Sequence, residues 1–261
     1  MRGLLLFAAA LLGIGSSAAE PPPDARAIVA RAVAAHGGET WLAPGTLVLA
    51  GEAEFFGTDR AEPVSRADEY RMWREMNPDR DSAHGADGKV RIEARASGAL
   101  MFAVGYDGIA TWTDKGVMPA AEAEAYWASN FGFGIIRSAL AKSLRMERAP
   151  SREVAGHAVD LVRIYDARGE STLFGFDKES HFIRYMAFQS PRGWHERQYD
   201  DFIRLTDQNW VQAREVTLFY NGVMANRVRW RSVEIGAPIR PGLFEFDPDA
   251  INQNRRPAPA P

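Results

Sequence analysis

The chain has 261 residues, 46% of them hydrophobic, and a formal net charge of −3. That length suits one large β domain or two small ones, and the lack of a basic field speaks against a nucleic-acid partner. There is no cysteine, which excludes disulfides and a lipidated N-terminal cysteine, so the fold must stand on its core alone.

Residues 1–19 read as a secretory signal peptide. Arg2 gives a positive start, Leu4 to Ile14 form an apolar run too short to span a bilayer, and Ser17-Ala18-Ala19 offer a small-residue cleavage site before Glu20. Export without an anchor implies the periplasm or the outside of the cell. Residues 20–251 are expected to form a single domain, and the alternating Pro/Ala tail 252–261 is expected to be disordered.

Ala25 to His36 has helical spacing (Ile28, Ala32 and Ala35; Val29 and Val33), with Asp24 as N-cap and Gly37-Gly38 as a stop. Strands are expected over Thr46–Phe56, Ala67–Met76, Lys89–Ala96 and Ala99–Tyr106. A hairpin around Asp107-Gly108 then leads to Ile109–Thr113. The texture changes at Pro119. Two helices are expected, Ala120–Ser129 and Ile135–Met146, joined by the aromatic segment Phe131-Gly132-Phe133-Gly134, whose glycines serve as a hinge or as a tight turn. After Pro150 strands resume over Ser151–Ala155, His157–Asp166, Glu170–Asp177 and His181–Ser190. A last β-rich run covers Glu196–Phe202, Asn209–Tyr220, Val223–Ile235 and Pro238–Phe246. Asn221-Gly222 is a strong two-residue hairpin signal. On the strand before it, Val216, Leu218 and Tyr220 share one side and Glu215, Thr217 and Phe219 the other. Large apolar groups on both faces need cover on both, or a sheet that closes around something.

Ala27 to Trp41, Tyr106-Asp107-Gly108, the mid-chain helical pair, Phe176-Asp177-Lys178-Glu179, Tyr199-Asp200-Asp201-Phe202, Leu218 to Gly222, Val233-Glu234-Ile235 and Pro241-Gly242-Leu243-Phe244 together resemble the LolA/LolB-like superfamily of periplasmic outer-membrane lipoprotein carriers. The resemblance spans nearly the whole mature chain and rests on order, spacing and turn residues. It implies a mainly β (α+β) fold: an incomplete, strongly curved antiparallel β-barrel of about eleven strands, with helices forming a lid or plug. It also implies an apolar concave face that takes acyl chains, and an early-strand arginine that holds the lid. Arg71 is the nearest match, with Arg74 also possible.

Aromatic and methionine side chains suit such a cavity, because they offer large and adaptable apolar area. The candidate lining groups are Met72, Trp73, Phe102, Trp112, Phe174, Phe176, Met186, Phe188, Leu218 and Trp230, with Trp127, Phe131, Phe133 and Ile136 from the lid. A filled core would use the same residue types; the set as a whole, apolar on both faces of several strands, favours a hollow. His36, His84, His157, His181 and His195 show no metal-ligand spacing, no hydrolase or phosphate-loop motif is present, and Asp200 and Asp201 point to opposite faces of a strand. The expectation is a non-enzymatic, monomeric carrier without cofactor or metal. Its cargo is a lipid or an acylated protein, and its partners are transient envelope membrane proteins. An envelope sensor of the same fold is the alternative, and a secreted hydrolase the weaker one. Chain recovered from the envelope of a Gram-negative host should begin at Glu20, which N-terminal sequencing reads; retention of Met1 would refute cleavage.

Overall fold

A computed structural model describes residues 24–58 and 60–249; the expected signal peptide and Pro/Ala tail lie outside the described residues. Helix α1 (Ala25–His36) starts where the Asp24 carboxylate accepts the Ala27 N–H at 2.7 Å and stops at Gly37. It buries Ile28, Val29, Ala32, Val33 and His36. A short helix, α2 (Glu39–Leu42), buries Trp41.

Six strands follow: β1 (Thr46–Phe56), β2 (Pro63–Glu75), β3 (Lys89–Ala96), β4 (Ala99–Tyr106), β5 (Thr111–Thr113) and β6 (Gly116–Val117). Helices α3 (Ala120–Asn130) and α4 (Ile135–Ala139) come next. Seven more strands follow among the described residues: β7 (Met146–Val154), β8 (His157–Tyr165), β9 (Ser171–Asp177), β10 (Ile183–Ser190), β11 (Gly193–Leu205), β12 (Trp210–Tyr220) and β13 (Val223–Ile235). All thirteen strands lie in one curled antiparallel sheet, ordered β6-β5-β4-β3-β2-β1-β13-β12-β11-β10-β9-β8-β7. The incomplete curved barrel with helices is therefore present, with thirteen strands rather than about eleven.

The order has one consequence for function. Strands β6 and β7 follow each other in sequence but sit at opposite edges of the sheet. The segment that carries α3 and α4 must therefore cross a face of the sheet. Its C-terminal part packs into the main core, where Ile135, Ile136 and Ala139 meet α1, Trp41 and residues of β8, β9 and β10. Its N-terminal part rests on β3 and β4, with Trp127 and Phe131 against Val90 and Val104.

Several expected strands have other bounds, β7 starting at Met146 rather than Ser151 and β2 at Pro63 rather than Ala67, and two expected elements differ in kind. The second lid helix ends at Ala139, not Met146. Ser143 takes a left-handed φ of 51°, the Leu144 N–H turns back to Ala139 O, and Met146 pairs with Ile164 across β7 and β8. Strand pairing at the sheet edge overrides helix preference there. Pro238–Phe246 forms no strand, because its two prolines remove ladder donors. Instead Leu243 and Phe244 are buried, and their carbonyls accept from Arg91 Nη1 and Trp112 Nε1, both at 2.7 Å.

Two glycine positions decide the joins. Asn221 and Gly222 both have positive φ, 50° and 79°, the geometry of a two-residue hairpin, and link β12 to β13. Gly51 lies at the register shift where β1 meets β13, the seam between the two halves of the sheet. A Cβ there would collide with the carbonyl oxygen of Arg229. Gly51→Ala should therefore lower unfolding stability by about 3 kcal/mol, read as a lower urea midpoint with an unchanged slope; an unchanged midpoint would show that the seam yields.

Candidate cavity beneath the crossing segment

Alternation along the strands decides what faces inward. Leu47 and Leu49 of β1, Tyr70, Met72 and Arg74 of β2, Val90 and Ile92 of β3, Phe102 and Val104 of β4, Val216 and Leu218 of β12, and Val228 and Trp230 of β13 share one face. Trp127, Phe131, Gly132 and Phe133 of the crossing segment cover them. Between the two lies a cavity of about 320 Å³. Its wall is apolar and aromatic: Phe55 meets Phe102 edge-on at 5.7 Å, and Tyr70 lies 5.5 Å from Trp230. The interior is dry enough to push the Tyr70 and Tyr199 phenols up to about 12, mainly by burial.

The expected lining residues divide. Met72, Phe102, Leu218 and Trp230 face the cavity, as do Trp127, Phe131 and Phe133 from the lid. Phe174, Phe176, Met186, Phe188 and Ile136 are instead fully buried in the packed core beside it. They lie where α1 and α4 fill the space over β8, β9 and β10. Trp73 and Trp112 do not line the cavity. Trp73 sits between two cavity-facing neighbours on its strand and so points the other way. Trp112 packs with Ala103 and Phe246 and lies under the Arg91 guanidinium.

Arg71 is exposed and pairs at 3.7 Å with Glu69; the arginine of β2 that reaches the lid is Arg74, whose guanidinium carbon lies 4.6 Å from the Phe131 ring centre. They stand three positions apart on a strand, an odd offset, so they face opposite sides.

Several groups that hold the lid were not legible in the sequence. The last carbonyls of α3 have no partner within the helix. Ser129 O accepts from Tyr220 Oη and His195 Nδ1, each at 2.9 Å, and Asn130 O accepts from Arg197 at 2.7 Å. A carbonyl can only accept, so His195 carries its proton on Nδ1. Thr172 donates to Gly132 O at 3.1 Å, and Trp127 Nε1 donates to Thr111 at 2.7 Å. Each such bond contributes on the order of 1 kcal/mol.

Neither Gly132 nor Gly134 has a positive φ. They permit close approach: a Cβ on Gly132 would lie 2.5 Å from the Phe188 ring, and one on Gly134 2.8 Å from Arg80 Cδ. Arg80 is itself buried and organises the loop after β2. It donates to the carbonyls of Ser82, Ala83 and Gly85 and pairs with Asp87 at 2.9 Å. A lone arginine inside an apolar run, as in Ile135-Ile136-Arg137, is the one sequence signal that could have marked the polar interior.

Arg137 of α4 stacks 4.1 Å from the Trp41 ring centre and 5.3 Å from that of Trp210. Burial, and then Arg74, push its guanidinium down to about 9. Burial pushes Arg74 down to about 10, helped by Arg80 and Arg197 and opposed by Asp87. Both remain charged at neutral pH. Among the described residues no group of three His, Asp or Glu is placed to hold a metal, and no helix is long and apolar enough to cross a membrane.

No protein-family model matches the sequence, and no curated protein matches it either. Solved structures do match the fold. A domain described as an outer membrane lipoprotein-sorting protein, from Vibrio parahaemolyticus, aligns at a TM-score of 0.53 and 12% identity, over 89% of this chain and 98% of that one. A LolA superfamily protein from Nitrosomonas europaea aligns at 0.54 and 10% identity, over 86% and 99%. A DUF1329 family protein from Desulfovibrio piger aligns at 0.55 and 9% identity, over 88% and 100%. The chain therefore has the fold of LolA-superfamily proteins, a curled sheet with a helical cover.

Stability should depend on pH through the buried histidines. Burial holds His36 and His84 down to about 4 and His195 to about 2, from an ordinary 6.5. Between those values the unfolded chain binds more protons than the folded one, so stability falls as pH drops below about 6.5. The melting temperature should decline from pH 7 to pH 4.5, with a shallower decline in His195→Gln. A flat profile in the parent would refute this account.

Proposed function

We propose that the chain is a periplasmic carrier that holds a hydrophobic cargo non-covalently. The cargo is a lipid or the acyl part of an acylated protein, taken under the α3–α4 segment and passed on through transient contact with envelope membrane proteins. The observation that carries this reading is the cavity of about 320 Å³, walled by Met72, Phe102, Leu218 and Trp230 and roofed by Trp127, Phe131 and Phe133. An acyl chain in water exposes methylenes at about 0.8 kcal/mol each, and an apolar cavity within the roughly 300–1,000 Å³ range of ligand sites offsets that cost.

The fold relatives support the reading through the lipoprotein-sorting description of one of them. Beside its apolar packing, the end of α3 is tied to the sheet by hydrogen bonds to its last carbonyls, which water can replace one by one, and a cover that must open needs such attachment. We read the protein as a monomer working without catalysis.

The direct experiment is mass spectrometry of what co-purifies with the chain from a native periplasm, joined to uptake of the neutral fluorescent probe N-phenyl-1-naphthylamine. A chain that carries no lipid and takes up no probe is not a carrier. Val216 is half-buried and faces the cavity. Val216→Trp should fill the space and weaken probe uptake about tenfold or more, while stability changes by less than about 1.5 kcal/mol. Equal loss of both would mean that Val216 belongs to a packed core.

A further inference from the structure

The cavity is apolar in its wall but cationic in its charge. Among its lining residues Arg74, Arg137 and Arg197 carry positive charge, and Asp87 is the one acid. Asp87 is already paired with Arg80, which lies outside the lining. The remaining ionisable lining groups are His36, neutral at pH 7, and the tyrosines. Arg197 spends a donor on Asn130 O. Arg74 Nε and Arg137 Nη1 are buried with no hydrogen-bond acceptor among the described residues.

Rings do not supply what is missing. Trp41 and Trp210 attract the Arg137 cation by their π faces, and Phe131 does so for Arg74. The guanidinium N–H groups point along its edge and still need an oxygen acceptor. A buried cation without an anion is costly, and each of these cations raises the cost of the others.

We propose that the cargo is a single-chain amphiphile with an anionic head, a carboxylate or a phosphate monoester, seated between Arg74 and Arg137 with its acyl chain against Met72, Phe102 and Leu218. The arginine fork matches the geometry of both heads. A volume near the lower end of the ligand-site range fits one chain better than several. The proposal rests on the carrier reading and narrows it to a class of cargo.

The test uses mature chain stripped of lipid at pH 8, with N-phenyl-1-naphthylamine as reporter. Laurate, dodecyl phosphate, 1-dodecanol and dodecyltrimethylammonium compete for it. At least one anionic head should bind about tenfold or more tighter than 1-dodecanol, and the cationic amphiphile should bind weakest. Laurate and dodecyl phosphate tell the two head groups apart. Arg74→Gln and Arg137→Gln should each cut the preference, read as the ratio of anion to 1-dodecanol affinity within one variant, to about threefold or less, with a far-UV circular dichroism spectrum and a cooperative melt showing that the variants fold. If 1-dodecanol binds as tightly as both anions, or if both variants keep the full preference, the anionic-head proposal is overturned and the carrier reading stands. If the parent chain takes up no probe at all, both are overturned.

Discussion

The structure depends on one topological constraint. Consecutive strands β6 and β7 stand at opposite edges of one sheet, so the chain between them has to cross it. That crossing places α3 and α4 over a face that strands of both halves have already made apolar. Where α4 lands, α1 and Trp41 are present to interlock with it, and the space over β8, β9 and β10 fills. Where α3 and the Phe131–Phe133 stretch pass over β1 to β4, β12 and β13, no second helix lies beneath, and the space stays open. Core and cavity are two stretches of one continuous face.

The electrostatics follow from the same geometry. A helix end set down on a sheet brings bare carbonyls with it, and the sheet answers with donors: Tyr220, His195 and Arg197. His195 is fully buried, so it is kept neutral, and its Nε2 stays without a partner among the described residues. Arg74 and Arg137 meet the roof and the α2 region through aromatic faces rather than carboxylates. A cation held by rings keeps its charge and its edge donors in a medium of low dielectric, where both interact strongly with any anion that enters.

Much of the secondary structure was legible. Thr46–Phe56, Lys89–Ala96, Ala99–Tyr106 and Val223–Ile235 have the bounds that alternation and turn residues imply, because tight turns such as Asn221-Gly222 mark where one strand ends and the next begins. The C-terminal part of the lid was not, because residues 140–146 prefer helix locally while β8 offers Met146 a strand partner. Nor could Phe174 or Phe188 be told from Phe102. All three are aromatic residues on strands rich in apolar side chains, and only the position of α4 separates a packed ring from a cavity-facing one. Arg71 and Arg74 differ only in parity along β2, so which of them meets the roof turns on which face of the strand is covered.

By itself, then, the sequence determined the β-rich plan, the mid-chain helical interruption, the sharp hairpins and an excess of apolar side chains over what a one-sided sheet can bury. These are local properties, encoded in periodicity and in residues with restricted backbone freedom. Tertiary structure alone decided which apolar side chains touch one another and which face empty space. It also decided that three arginines distant in sequence converge on that space. Both depend on where a segment crosses a sheet, and that is set by pairing among strands more than a hundred residues apart, such as Leu47 with Ile235.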